Sequence, residues 1–273
     1  MNNNRLYFLH VPKTAGKSVS YELKSELEKN NISTYISTQY PNENPISDEV
    51  YISGHFGTYP IEKFPGISVA CLIRNPIEAR VSYFNFIHGR NDLDTPRYRS
   101  IDSYLEKLKY YLFEDEGFFE HNNYQSRHIC NPTDELVFQS DHQFEKNIND
   151  ITNKYNFKMG EAFNWFIKND NTSFENAKNR IESFDIVNTV DSISSYYTAI
   201  SKWFKNRHGI DIALNSKNIT NSSNTLYKGK IYTTQDLIGM LTNHEKEKVL
   251  ENNEIDYKIY SIIREREINE KQN

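Results

Sequence analysis

Cysteine is almost missing from this chain. Cys71 and Cys130 are the two among 273 residues, which excludes a disulfide framework, and Cys71, inside the apolar run of residues 69–73, reads as a buried free thiol. Long hydrophobic runs are missing too. No stretch approaches the roughly 20 apolar residues that a membrane-spanning helix needs, and the opening MNNNRLYFLH lacks the apolar core of a secretory signal. The expectation is a soluble, cytoplasmic protein without stable membrane insertion. Positive charge is not in excess: a formal charge of −5 and a pI of about 5.9 exclude a general nucleic-acid binder. His121, His128 and Cys130 do not fall at a recognised zinc spacing, so no metal site is expected. What the chain does have is rings. With 19 Tyr and 16 Phe against 37% hydrophobic residues overall, the core is expected to pack through aromatics more than aliphatics.

Acid is absent from the first twenty residues, which carry Arg5, Lys13 and Lys17 in a chain that is acidic overall. Such a local excess suits a small anionic ligand. Residues 6–11, LYFLHV, read as a buried parallel strand ended by Pro12. A small polar and basic loop and a helix over residues 19–29 follow. Strand, loop and helix in that order aim backbone N–H groups and a helix N-terminus at a phosphate. Gly16-Lys17-Ser18 matches the second half of the familiar phosphate loop, but Val11 stands where the first glycine belongs and Pro12 stiffens the turn. An ordinary nucleotide triphosphatase is therefore disfavoured.

Further along, residues 30–47 read as an irregular connection. Residues 50–60 offer a strand ending in Gly54-His55-Phe56-Gly57, an imidazole where open α/β sheets place their ligands. Residues 67–73, ISVACLI, form the most convincing central strand, running into a helix over residues 74–88. Ile77, Val81, Phe84 and Ile87 mark one face of that helix, while Arg74, Arg80 and Ser82 lie near its N-terminus, where arginine suits phosphate. Helices are expected over residues 101–113, 172–184 and 193–207, with a strand over 185–191. Residues 121–130 read as a polar helix facing a cleft, residues 160–168 as a possible helix, residues 215–230 as a loop, and residues 234–252 and 256–267 as two terminal helices. No repeat or linker divides the chain, so a single domain over residues 1–273 is expected.

Four stretches in this order, HVPKTAGKS, SGHF, RNPIEARVS and NNYQSR, resemble sulfotransferases of the group that includes heparan sulfate 2-O-sulfotransferase and many bacterial relatives. The resemblance implies a three-layer α/β/α fold with a central parallel sheet, related to nucleotide kinases. It also implies the donor 3′-phosphoadenosine 5′-phosphosulfate, PAPS, and no metal. By the same resemblance Lys13, Thr14, Ala15, Gly16, Lys17 and Ser18 hold the 5′-phosphosulfate, Arg74 and Ser82 hold the 3′-phosphate, and His55 is the general base. Asn75 and Lys17 depart from the residues usual at those positions. The implied reaction moves a sulfuryl group to an acceptor hydroxyl, on a carbohydrate, with Tyr98, Arg99, His121, Gln125 and Arg127 as candidate cleft residues. A nucleotide kinase using Gly16-Lys17-Ser18 and a non-catalytic nucleotide-binding protein of the same fold are the competing readings.

Overall fold

The computed structural model describes residues 4–37, 48–89, 96–115, 122–131, 172–215 and 224–272. His121 and the helix expected over residues 160–168 lie outside them. Among the described residues five parallel strands form the central sheet: β1 (Leu6–Leu9), β2 (Thr34–Ser37), β3 (Tyr51–Gly54), β4 (Ser68–Ile73) and β5 (Ile186–Thr189), in the order β2-β3-β1-β4-β5. Strand β1 is central, pairing Leu9 with Gly54 on one side and with Cys71 on the other. Its alternating residues fill both faces. Tyr7 and Leu9 join one hydrophobic cluster with Val69, Cys71 and Ile73, whereas Leu6 and Phe8 join a second with Ala70 and Leu72. Burial on two sides explains why these strands read as continuous apolar runs.

Helices α1 (Gly16–Lys29) and α8 (Ile193–His208) cover the second face through Val19, Leu23, Leu27, Tyr196, Ile200 and Phe204. The first face is covered by α3 (Pro76–Gly89), α5 (Tyr104–Phe113), α6 (Tyr124–Cys130), α7 (Phe174–Ser183) and the C-terminal helices. The result is a three-layer α/β/α arrangement. Two short helices, α2 (Tyr59–Lys63) and α4 (Pro96–Arg99), complete this part. Both cysteines are buried free thiols. Among the described residues no helix is long and apolar enough to cross a membrane.

Several expectations change. Strand β2 lies within the stretch read as irregular, and a hairpin of β6 (Thr225–Tyr227) and β7 (Lys230–Tyr232) begins within the stretch read as a loop and ends two residues past it. Its turn places Lys228 at φ 46° and Gly229 at φ 80°, the left-handed pair that a tight hairpin requires. The C-terminal region forms three helices, α9 (Thr234–Met240), α10 (Asn243–Asn252) and α11 (Glu254–Gln272). A capping box of Thr242 and Glu245 starts α10 and so splits the single helix expected there. Helix α3 has no polar face over its middle: residues 79–85 are all buried. Asn85 explains part of this, because it accepts from the Tyr104 hydroxyl at 2.7 Å and donates to the Tyr232 carbonyl at 3.3 Å, fastening α5 and the hairpin onto α3. Helix α6, expected as a polar helix facing a cleft, is buried through Tyr124, Gln125, Ser126, His128, Ile129 and Cys130.

Candidate anion-binding site

The connections leaving β1 and β4 run to opposite sides of the sheet, so the crevice between the carboxyl ends of these neighbours is a topological switch point. Both basic motifs emerge there. After β1, Lys13 and Ala15 both adopt left-handed backbone, with φ 69° and 63°, and the Thr14 hydroxyl donates to the Val11 carbonyl at 2.7 Å. Left-handed residues in such a turn fold consecutive N–H groups toward one point, a geometry that accommodates anions. Helix α1 begins directly afterwards with no side-chain cap and no acid in its first turn. Its N-terminal dipole therefore favours negative charge.

After β4 comes Arg74. Its backbone N–H donates to the Gln125 side-chain oxygen at 2.8 Å, and the Gln125 amide nitrogen donates to the Arg74 carbonyl at 2.8 Å. The guanidinium donates through Nε to Glu78 at 3.0 Å and through Nη1 to the Lys13 carbonyl at 3.2 Å. Two segments 61 residues apart in sequence are thus joined by one side chain. A cavity beside them is lined by Lys13, Arg80, Tyr83, Tyr124, Gln125 and Asp256, among others. The Arg80 guanidinium lies 4.8 Å from the Tyr111 ring centre.

The candidate residues are not all placed together. Lys13 lies on the α3 side, its ammonium 4.4 Å from the Phe86 ring centre. Lys17 is exposed on the other side of the loop, 6.0 Å from the Tyr21 ring centre, where it lines a groove with Ser18 and Glu22. Thr14 and Gly16 are buried, and Ser82 is fully buried in α3 and does not line the cavity. Of the candidate cleft residues Gln125 lines the cavity. Tyr98 is buried with its hydroxyl donated to Asp115, and Arg99 is exposed.

His55 follows β3. Its ring meets His10 edge to face at 4.4 Å between centres, and His128 of α6 stands 6.3 Å beyond it. His55 keeps part of its surface accessible, while its Nε2 is enclosed with no hydrogen-bond partner among the described residues. Burial lowers the His55 pKa well below the ordinary 6.5, helped by the neighbouring imidazoles of His10 and His128. Burial likewise lowers His10 to about 3, with His128 and Lys13 adding to the effect. Both rings are neutral at pH 7. No protein-family model matches the chain, and no curated protein matches its sequence.

Two residues of this region escaped the sequence reading. His10 sits inside the anion-loop motif, but nothing in sequence says that it faces His55 from the next strand. Asp256 lies in α11, far along the chain, yet it accepts from the backbone N–H groups of Gln125 at 3.1 Å and Ser126 at 2.7 Å and from the Ser126 hydroxyl at 2.6 Å. It caps α6 from another helix and so holds Gln125 against Arg74. Burial raises its pKa against the opposing pull of these hydrogen bonds. Asp256→Ala leaves these donors enclosed without their acceptor and is expected to cost about 3 kcal/mol, read from the urea midpoint. A cost below about 1 kcal/mol would show that the cap does not hold α6.

Acid is expected to destabilise the fold through the two histidines. Each has a folded-state pKa below its unfolded value, so their contribution is complete above about pH 6.5 and is lost as pH falls through that value. The His10 share of the loss continues toward its folded pKa of about 3. Each neutral buried imidazole contributes a slope of about 1 kcal/mol per pH unit over its window. Urea unfolding at pH 7.5, 6 and 5 measures it, and a midpoint flat across that range would refute it.

Proposed function

We propose that the chain is a sulfotransferase that takes a sulfuryl group from PAPS to an acceptor hydroxyl, with a carbohydrate as the acceptor class that the motif resemblance implies. The observation that carries this reading is the hydrogen bond from Arg74 to the Lys13 carbonyl at 3.2 Å. It joins the two motifs expected to hold the two anionic ends of the donor. A triphosphate loop needs one such anion site; a donor carrying both a 5′-phosphosulfate and a 3′-phosphate needs two. A neutral imidazole beside the loop adds a proton acceptor.

In the proposed step the acceptor oxygen forms a new bond to sulfur while the bond between sulfur and the bridging phosphate oxygen breaks. That electron pair stays on the departing 3′-phosphoadenosine 5′-phosphate, and the acceptor proton passes to His55. Lys13 and the loop N–H groups offset the charge that develops on the leaving oxygen. Depressing the His55 pKa keeps the base unprotonated at neutral pH, at the cost of intrinsic basicity. Arg74 serves as donor clamp. Ser82 is fully enclosed and Arg74 is not, so Arg74 carries more of this site than the motif implies.

Calorimetry with 3′-phosphoadenosine 5′-phosphate against ADP tests the reading. A preference of at least tenfold for the former is expected, since ADP lacks the second anion. Equal affinities, or tighter ADP binding that requires magnesium, would favour the kinase reading and overturn this one.

A further inference from the structure

His10 is 6% exposed, and its ring makes no hydrogen bond among the described residues. On one side the imidazole presses on the start of α1, so closely that a Cβ added at Gly16 would lie 1.9 Å from its Cδ2. Its other neighbours are Phe8, stacked nearly parallel at 5.7 Å, and the ring of His55, met edge on at 4.4 Å. His10 is therefore a wedge between the anion loop and the imidazole after β3.

We propose that His10 is a positioning residue: its ring fixes the imidazole of His55 relative to the loop and shields it from water. The inference rests on the proposed sulfuryl transfer for its kinetic consequence, but not for its physical content. A base must stand within hydrogen-bond reach of the proton that it removes, and a displacement near 1 Å costs about a hundredfold in rate. His55 is a ring at the end of a strand with no hydrogen bond from a described residue to its Nε2, so contact with neighbouring rings sets its orientation. His128 of α6 supplies the other wall, its ring 6.3 Å from that of His55 and itself backed by the Tyr124 ring at 4.4 Å. The titratable and charged groups facing the pair are Lys13 from the loop and His128 from α6.

The test uses His10→Ala and His10→Phe in the full chain. Removing the ring admits water to His55 and takes away a neighbouring imidazole, and both changes move the His55 titration up toward 6.5. Phe keeps the enclosing ring without its nitrogens. In His10→Ala, kcat is expected to fall about a hundredfold, and the acid limb of its pH profile to move to higher pH. In His10→Phe, kcat should return to within about fivefold of wild type with the limb low. Nuclear magnetic resonance of labelled histidines, with His55 assigned by its loss in His55→Gln, reads the titration without any activity. Unaltered His55 titration in His10→Ala would overturn the proposal, as would a His10→Phe protein as slow as His10→Ala. If wild type binds no 3′-phosphoadenosine 5′-phosphate and transfers no sulfuryl group, the functional reading fails, while the resonance titration still decides whether His10 controls His55.

Discussion

Lys13→Ala is expected to lower kcat for sulfuryl transfer by about two to three orders of magnitude, the usual cost of removing one group that stabilises charge developing on a reacting oxygen. Lys13 lies at the switch point with its ammonium over Phe86 and its carbonyl held by Arg74. Stability should hardly change. Alanine at φ 69° is no more strained than lysine there, and the partly exposed cation–π contact is worth about 0.5–1 kcal/mol. A variant that unfolds near the wild-type midpoint but has lost turnover would separate charge from architecture. Lys17→Ala is the contrast, because that side chain is exposed over Tyr21 on the other side of the loop. Its loss should be at least tenfold smaller. If Lys13→Ala kept a third of wild-type kcat at saturating donor, or if Lys17→Ala were the more damaging change, Lys13 would not be the charge that the reaction uses.

The legible part of the fold is the part whose local signals agree with burial. β1 and β4 are apolar on both faces, and β3 and β5 open on the apolar pairs Tyr51-Ile52 and Ile186-Val187 and are buried throughout; such runs announce themselves without tertiary context. Helix α7 begins where its N-cap serine says it should, with the Ser173 hydroxyl accepting from the Asn176 N–H. Strand β2 could not be read, because TYIS at the sheet edge is four residues long and sits beside polar sequence. The hairpin was hidden for a different reason. Lys228-Gly229 is an unusual turn pair, and β6 and β7 turn Leu226 and Ile231 outward, 69% and 61% exposed, so their alternation carries no core signal. Helix α3 misled in the opposite direction. Arg74, Arg80 and Ser82 read as the polar side of its first turns, yet the fold encloses Arg80 and Ser82, Arg80 against the Tyr111 ring.

Legibility of the site divides the same way. The basic loop and Arg74 could be found from residue types and spacing, because an acid-free segment in an acidic chain stands out. Their meeting could not be found, since it depends on β1 and β4 being neighbours in the sheet. Asp256 and His10 depend still more on tertiary structure: one acts across 131 residues through the Gln125 N–H, and the other owes its place to the pairing of β1 with β3.

Gly16→Ala is expected to destabilise the protein by about 2–3 kcal/mol and to abolish measurable donor binding. In an ordinary helix the change would be favourable by as much as about 1 kcal/mol, so packing decides the sign. The added Cβ would lie 1.9 Å from His10 Cδ2, 2.1 Å from Nε2 and 2.6 Å from Cγ, inside the ring, not against the end of a mobile chain. That ring has nowhere to go, with Phe8 on one side and His55 on another, and overpacking of an enclosed site typically costs about 1–3 kcal/mol. Either the loop lifts away from β1 or His10 is driven toward His55, and each outcome spoils the anion site. The decisive measurement is a double-mutant cycle. With His10→Ala the ring is gone, and a methyl group at position 16 fills part of the space it leaves. Gly16→Ala should then be neutral or stabilising in the His10→Ala background, a coupling of at least about 2 kcal/mol between residues in direct contact. Additive losses in the urea midpoint would mean that His10 does not set the requirement for glycine at the start of α1.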